Sequence, residues 1–198
     1  DEIFECLRRA QSLVSGLELN ISSPNTAGLK IFHEPGRLRG LIEGLVAEKQ
    51  VPLFVKLPPW PRHDENRREL LKLAATAVDA GVDGLVVANT HPIESRILQV
   101  GRGGLSGAPL FEHTELMIAD IQAQVQGEVA IIACGGVSTG EHVWKLLATG
   151  ASAVQLYTSF IYEGPGLPAR INKRLSKLMQ VAGISKIEDI NGEPPAVR

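Results

Sequence analysis

Cysteine is nearly absent: Cys6 and Cys134 are the only two in 198 residues, far apart and outside any metal-ligand spacing. Neither a disulfide framework nor a zinc site is supported, and a reducing compartment is the better match. A surplus of one charge is missing too. Twenty basic residues face 22 acidic ones, for a formal net charge of -2, which leaves no field to gather nucleic acid or an anionic membrane surface. Long apolar runs are also lacking. Gly, Pro or charge interrupts every stretch well short of the roughly 18–20 residues that cross a bilayer. No signal-peptide pattern opens the chain, and it begins at Asp1 rather than Met, which points to trimming or to a piece of something longer. No Ser-His-Asp order, carboxylate pair or metal cluster emerges, so the common hydrolytic and metal chemistries find no support.

What is present is an even mixture, 44% hydrophobic and 21% charged, with 20 Gly and 12 Pro. That length buries one sizeable core and is too short for two ordinary large domains, so 1–198 reads as a single domain. Five short runs, 17–21, 52–57, 84–88, 129–134 and 153–157, are almost continuously apolar, as strands are when both faces of a parallel sheet are covered. Helical patterns lie around and between them. The clearest covers 64–80, where Leu70, Leu71, Ala74, Ala77 and Val78 recur at three- and four-residue steps and Gly81 supplies a stop. Another begins at Ser138, with Glu141 placed to reach back in a capping box, and ends at Gly150. Further helices are expected over 3–14, 37–48, 115–126 and 167–181, with a short segment at 159–164. The tail 191–198, with Pro194-Pro195, reads as loosely attached.

A helix followed by five strand-helix repeats calls for right-handed parallel crossovers, in an open doubly wound sheet or in a barrel. The glycines favour the barrel. Gly135-Gly136 follows the fourth strand and leads into a helix, and Tyr157-Thr158 ends the fifth. Phosphate sites in (β/α)8 barrels sit on the loops after the last two strands. The fold class is therefore α/β, an incomplete TIM-type (β/α)8 barrel made of its last five strand-helix units. A full barrel runs to about 250 residues, so three units are expected to precede these.

The stretch Asn20-Ile21-Ser22-Ser23-Pro24-Asn25-Thr26-Ala27-Gly28 packs amides and hydroxyls onto a loop at the carboxyl end of the first strand. Asn offers one acceptor and two donors, suited to the edge of a planar heterocycle, although an ordinary polar turn has the same composition. Lys56 closes an otherwise apolar strand. A sheltered ammonium needs a partner, either an anionic ligand or a structural salt bridge. Asn89-Thr90 ends the third strand in the same topological place. Gly103-Gly104-Leu105-Ser106-Gly107 falls in the longest connection, 91–112, where a lid or a binding loop is expected. Cys134 reads as a buried, inert thiol and Cys6 as a helix-face residue. Of the five histidines, only His91 adjoins a candidate site residue.

Taken together, 20–28, Lys56, Asn89-Thr90, 103–107, Gly135-Gly136 and Gln155-Leu156-Tyr157-Thr158 resemble the dihydroorotate dehydrogenases in order and spacing. The resemblance covers about 17–181 and corresponds to the carboxyl-terminal part of that family's FMN-binding barrel. Ser at position 23, where the other branch has Cys, is similar to the quinone-linked, class 2 branch. The resemblance implies that Ser23 is the base taking the C5 proton of dihydroorotate while hydride passes from C6 to the flavin N5. It implies that Asn20, Asn25, Asn89 and Thr90 hold the pyrimidine and its carboxylate. It also implies that Asn20, Lys56, Ser106, Gly107, Gly135, Gly136, Tyr157 and Thr158 surround FMN, with Gly136, Tyr157 and Thr158 about its phosphate. A hydroxyl is a poor base, so a closing loop after Asn25, hinged at Gly28, is expected.

The implied activity is oxidation of dihydroorotate to orotate in pyrimidine synthesis, with a quinone as electron acceptor. The implied location is cytoplasmic, or peripheral on an inner membrane through an amino-terminal region. The chain departs from the family pattern at Leu57-Pro58-Pro59-Trp60, at Ala88 and His91 where threonines are usual, and at Val100-Gly101-Arg102. Two other readings fit the same residues: a non-catalytic phosphate-binding or assembly module, and a related FMN oxidoreductase acting on another cyclic amide. An incomplete barrel also exposes an edge that association with a partner would cover.

Overall fold

The computed structural model describes residues 2–23, 28–59 and 64–196, with backbone alone for 64–66. Asn25 and Trp60 lie outside the described residues. In chain order the elements are α1 (Glu2–Ala10), β1 (Leu17–Asn20), a 3-10 turn (Leu29–His33), α2 (Pro35–Glu48), β2 (Leu53–Lys56), α3 (Asp64–Asp79) and β3 (Gly84–Val87). There follow β4 (His91–Glu94), β5 (Arg102–Leu105), a second 3-10 turn (Ala108–Leu110), α4 (Phe111–Val125), β6 (Ala130–Cys134) and α5 (Gly140–Thr149). The chain closes with β7 (Ala153–Gln155), α6 (Thr158–Glu163), α7 (Leu167–Ala182) and a last 3-10 turn (Ile187–Asp189).

Five strands form one parallel sheet in the order β1-β2-β3-β6-β7. Each is followed by helix that returns over the same face, as parallel pairing requires. The face under the helices is dry: Val55, Leu85, Val87, Ile131 and Ala133 are fully buried there against Leu73, Ala77, Ile118 and Leu146. Alternation along the strands sends Glu18, Phe54, Lys56, Ile132, Cys134 and Gln155 to the opposite, inner face.

That inner face is concave. Gln155 Nε2 donates to Glu18 Oε2 at 3.0 Å, although β1 and β7 are the first and fifth strands of the sheet. With neighbouring strands about 4.8 Å apart, a flat sheet would hold those backbones roughly 19 Å apart, beyond the reach of two side chains. The sheet therefore curls as a barrel wall does, which decides between the two architectures the repeat pattern allowed. Gly84 fits this curl, since the Phe54 ring lies where a Cβ would stand, 2.6 Å from its Cδ1.

Local chemistry sets the element ends, and several differ from expectation. Helix α5 is capped by Thr139, whose Oγ1 accepts from His142 N at 3.1 Å, one residue beyond the expected Ser138. Glu141 is not the partner of a Ser138 box: it pairs with Arg174 on α7 at 2.6 Å. The long connection holds structure that the sequence does not announce: β4 and β5 form an antiparallel hairpin within it. The fifth strand ends at Gln155, two residues early, and α4 starts at Phe111 rather than 115. The tail is anchored at its beginning, with Ile190 buried, Trp144 Nε1 donating to Gly192 O at 3.1 Å and Lys145 pairing with Glu193.

Trp144 is among the largest fully buried side chains. Trp144→Ala is expected to cost about 3–5 kcal/mol through cavity formation and the lost bond to Gly192. The check is a lower urea midpoint at unchanged slope.

A pH dependence arises at the same place. The His142 ring stacks on Phe111 with centroids 4.0 Å apart, and its Nδ1 accepts from Ser138 N at 3.3 Å. Burial lowers its pKa, against the pull of Glu141 and Glu115 and aided by Lys145. A histidine depressed in the folded state stabilises the fold above its ordinary value of about 6.5 and loses that contribution as pH falls through the folded value. Stability should therefore decline on acidification from about pH 6.5, and His142→Gln should flatten that step in a pH series of melting curves.

Candidate active site

Parallel pairing brings every strand tip to one end of the sheet. Asn20 lies opposite Lys56, Lys56 opposite Val86, Val87 opposite Ala133 and Cys134 opposite Gln155. The candidate residues from five strands and their following loops therefore begin within about one residue of a common level.

At the tips of β1 and β3 two asparagines meet. Asn89 Nδ2 donates to Ser22 Oγ at 2.8 Å and reaches Asn20 Oδ1 at 3.4 Å. Asn20 Oδ1 also accepts from Ser22 N at 3.1 Å and Ser22 Oγ at 3.2 Å. Asn89 Oδ1 accepts from Thr90 N at 2.8 Å, so the amide of Asn89 is fixed at both ends. Ser22, which the sequence does not single out, is the hub of this network. Ser23 follows it directly and is half-buried. His33 Nε2 lies 3.2 Å from Ile21 O and ties the returning loop to the strand. Gly28, with φ +87°, starts that return.

Below this network the inner face is charged. Lys56 Nζ lies 3.4 Å from Glu18 Oε1, and the carboxylate is held on its other oxygen by Gln155. Lys56 thus has a structural ion pair, one of the two partners expected for it. Its ammonium also reaches Cys134, the residue before Gly135. Burial pushes the Cys134 thiol up, Lys56 pulls it down and Glu18 pushes it up again. The thiol is half-buried and held in its neutral form, which agrees with an inert role.

The glycine-bearing loops join the same end. Gly107, φ +80°, packs against Thr158 so closely that a Cβ would stand 2.9 Å from its Cγ2. This brings 106–107 to the loop after β7. Gly136, φ +75°, lies against the start of α4, where a Cβ would stand 2.6 Å from Phe111 Cα. Gly135 packs on Thr114, and Ser159 Oγ donates to Val137 O at 2.5 Å, tying the loops after β6 and β7 together. Ser106 and the Tyr157 ring are exposed, so these two are brought to the rim by backbone rather than by buried side chains.

This donor set, amides on one side, an ammonium in the middle and glycine backbone with hydroxyls on the other, fits a flat polar heterocycle lying beside a phosphate-bearing cofactor. Beside Asn89 a cleft lined by Pro59, Ala88, His91 and His113 holds only about 20 Å3. That is room for about one water. No group of three or more His, Cys, Asp and Glu among the described residues is placed to hold a metal.

The chain is similar to known proteins in both sequence and structure. A profile of the family described as "Dihydroorotate dehydrogenase" matches residues 1–179. The mitochondrial dihydroorotate dehydrogenase (quinone) of Arabidopsis thaliana is 36% identical over 190 residues, which are 89% of this chain and 40% of that protein. The dihydroorotate dehydrogenase (quinone) of Sphingopyxis alaskensis is 36% identical over 188 residues, 91% of this chain and 51% of that protein. A crystal structure of the Eimeria tenella enzyme in complex with ferulenol superposes with a TM-score of 0.84 at 33% identity, covering 97% of this chain and 57% of that one. The chain thus spans about half the length of the relatives it matches.

Proposed function

Because the chain belongs to the dihydroorotate dehydrogenase family, we propose that it serves the FMN-dependent oxidation of dihydroorotate to orotate in pyrimidine biosynthesis, with a quinone as electron acceptor. The observation that carries this reading is the meeting of Asn20 and Asn89, 69 residues apart, through Ser22 at one end of a curled parallel sheet. Two fixed amides at that spot present donors and acceptors to the edge of a pyrimidine, and the adjacent Lys56 attracts negative charge.

In this reading Asn20, Asn25, Asn89 and Thr90 hold the ring and its carboxylate, and Ser23 takes the C5 proton. Lys56 and Asn20 lie beside the flavin ring. Ser106, Gly107, Gly135, Gly136, Tyr157 and Thr158 surround the cofactor and its phosphate, and 1–198 acts as one domain. FMN, when bound, supplies the two-electron acceptor for the hydride leaving C6. A serine hydroxyl works as a base only where water is excluded, which calls for a segment closing over the site; residues 24–27, where that loop is expected, lie outside the described residues. A quinone acceptor puts the reaction at a membrane surface; no helix among the described residues is long and apolar enough to cross one.

The test is the visible spectrum of the purified protein. A flavin bound in about equimolar amount and bleached by dihydroorotate supports the proposal. A bound flavin that dihydroorotate leaves oxidised, while another reduced cyclic amide bleaches it, would reassign the substrate. A protein that binds no flavin would favour a non-catalytic module, a reading for which the neutralised Lys56–Glu18 pair speaks.

A further inference from the structure

The inner face of the sheet carries a carboxylate that the proposed reaction does not use. Glu18 sits two residues before Asn20 on β1, so both side chains leave the strand on the same side. One of its oxygens faces Lys56 Nζ at 3.4 Å and the other accepts from Gln155 Nε2 at 3.0 Å. The Lys56 side chain keeps 17% of its exposure and that of Glu18 30%, so the pair is partly sheltered from water. Gln155 spans the concavity to reach Glu18, 137 residues away in sequence. Glu18 is thus fixed from one side and presents its charge to the other.

We infer that Glu18 is a positioning residue and counter-ion for Lys56, holding the ammonium at the floor of the site and setting how much net positive charge that floor presents to an anionic ligand. This rests on the proposed flavin site for its ligand, and on the geometry alone for the pair itself. Without Glu18 the ammonium would stand against its ligand with its full charge. With Glu18 the floor is formally neutral, and a cofactor gains less from acquiring negative charge there on reduction.

Glu18→Gln tests this, because glutamine keeps an oxygen to accept from Gln155 and removes only the charge. The first readout needs no flavin. Cys134 lies beside Lys56 and Glu18, and the two act on its thiol in opposite directions. In a Cys6→Ser background, where Cys134 is the remaining thiol, Glu18→Gln should raise the alkylation rate of Cys134 about threefold or more, and Lys56→Met should lower it. The second readout is the two-electron reduction equilibrium of bound flavin, which Glu18→Gln should shift about tenfold toward the reduced form, an upward move of about 30 mV. Glu18→Asp, which keeps the charge, should lie nearer the unsubstituted protein than Glu18→Gln in both.

Equal alkylation rates with and without the Glu18 charge would overturn the inference, whether or not flavin binds. So would an unmoved or lowered potential in a flavin-loaded Glu18→Gln protein. A protein that binds no flavin, yet shows the expected alkylation pattern, would overturn the proposed function and leave the ion pair's role standing.

Discussion

Ser23→Ala is expected to lower the rate at which dihydroorotate bleaches a bound flavin by about 10²–10⁴-fold, the range a positioned general base contributes, with the flavin still bound. The neighbouring hydroxyl cannot substitute. Ser22 Oγ accepts from Asn89 Nδ2 at 2.8 Å and lies 3.2 Å from Asn20 Oδ1, so it is committed to holding the two asparagines. Ser22→Ala is expected to act differently, weakening substrate binding through loss of that hub with a smaller effect on the proton-transfer step. Ser23→Cys should recover part of the Ser23→Ala loss, because a thiol at the same position supplies a base with a different pH profile. Stopped-flow bleaching with substrate deuterated at C5 reads these cases apart. A Ser23→Ala protein that turned over at the unsubstituted rate would remove Ser23 from the mechanism.

Gly136→Ala is the second change of large expected effect. The residue has φ +75°, and its missing side chain would meet the backbone of Phe111, Cβ to Cα at 2.6 Å. A left-handed alanine costs roughly 1–2 kcal/mol and overpacking about 1–3 kcal/mol. Phe111 opens α4 and stacks on His142, so the neighbour that would have to move is part of the helix layer. The loop after β6 is expected to shift instead, with a loss of stability and, at the proposed cofactor site, of flavin retention. Gly127→Ala is the matched control, with φ +82° and no atom within 4 Å of the added carbon. It should show the backbone cost alone and keep its flavin. Equal losses in the two variants would mean that the contact with Phe111 carries nothing.

Much of this arrangement is legible in the sequence where local and long-range forces agree. Strand β3 is recognisable because Gly84, Leu85, Val86 and Val87 are buried on both faces, and a continuous apolar run is the imprint of that environment. The α3 stripe reads correctly through Leu70, Ala74 and Ala77, although Leu73 rather than Leu71 proves fully buried. The hairpin is invisible because Arg102-Gly103-Gly104-Leu105 has no strand propensity. It forms where Gly104 lets the Thr90 side chain approach, a contact made across fourteen residues of chain. The choice of Thr139 over Ser138 is likewise beyond local rules, since adjacent hydroxyls are equivalent until the helix axis is fixed against α7.

The site shows the same division. Asn20, Lys56 and Asn89 are visible because polar residues at the ends of apolar strands are unusual. Glu18 hides within a strand otherwise read as apolar, and its meaning depends on register: only the pairing of Glu18 with Phe54 and of Asn20 with Lys56 puts carboxylate and ammonium on one face. A signal was present, a charge two residues from a candidate site residue on an alternating strand. Gln155 needs the curl of the whole sheet before it can meet Glu18. Ser22 was masked by Ser23, the neighbour for which the family resemblance supplies a role.

The proposed site places a single pyrimidine against the cofactor ring at the tips of successive parallel strands. A crystal structure of the protein with FMN and orotate tests it most directly. Orotate is expected between Asn20 and Asn89, with Ser23 on its C5 side, Lys56 beside the flavin ring and the phosphate against Gly136. Orotate or FMN bound elsewhere, with Asn20 and Asn89 touching neither, would contradict it.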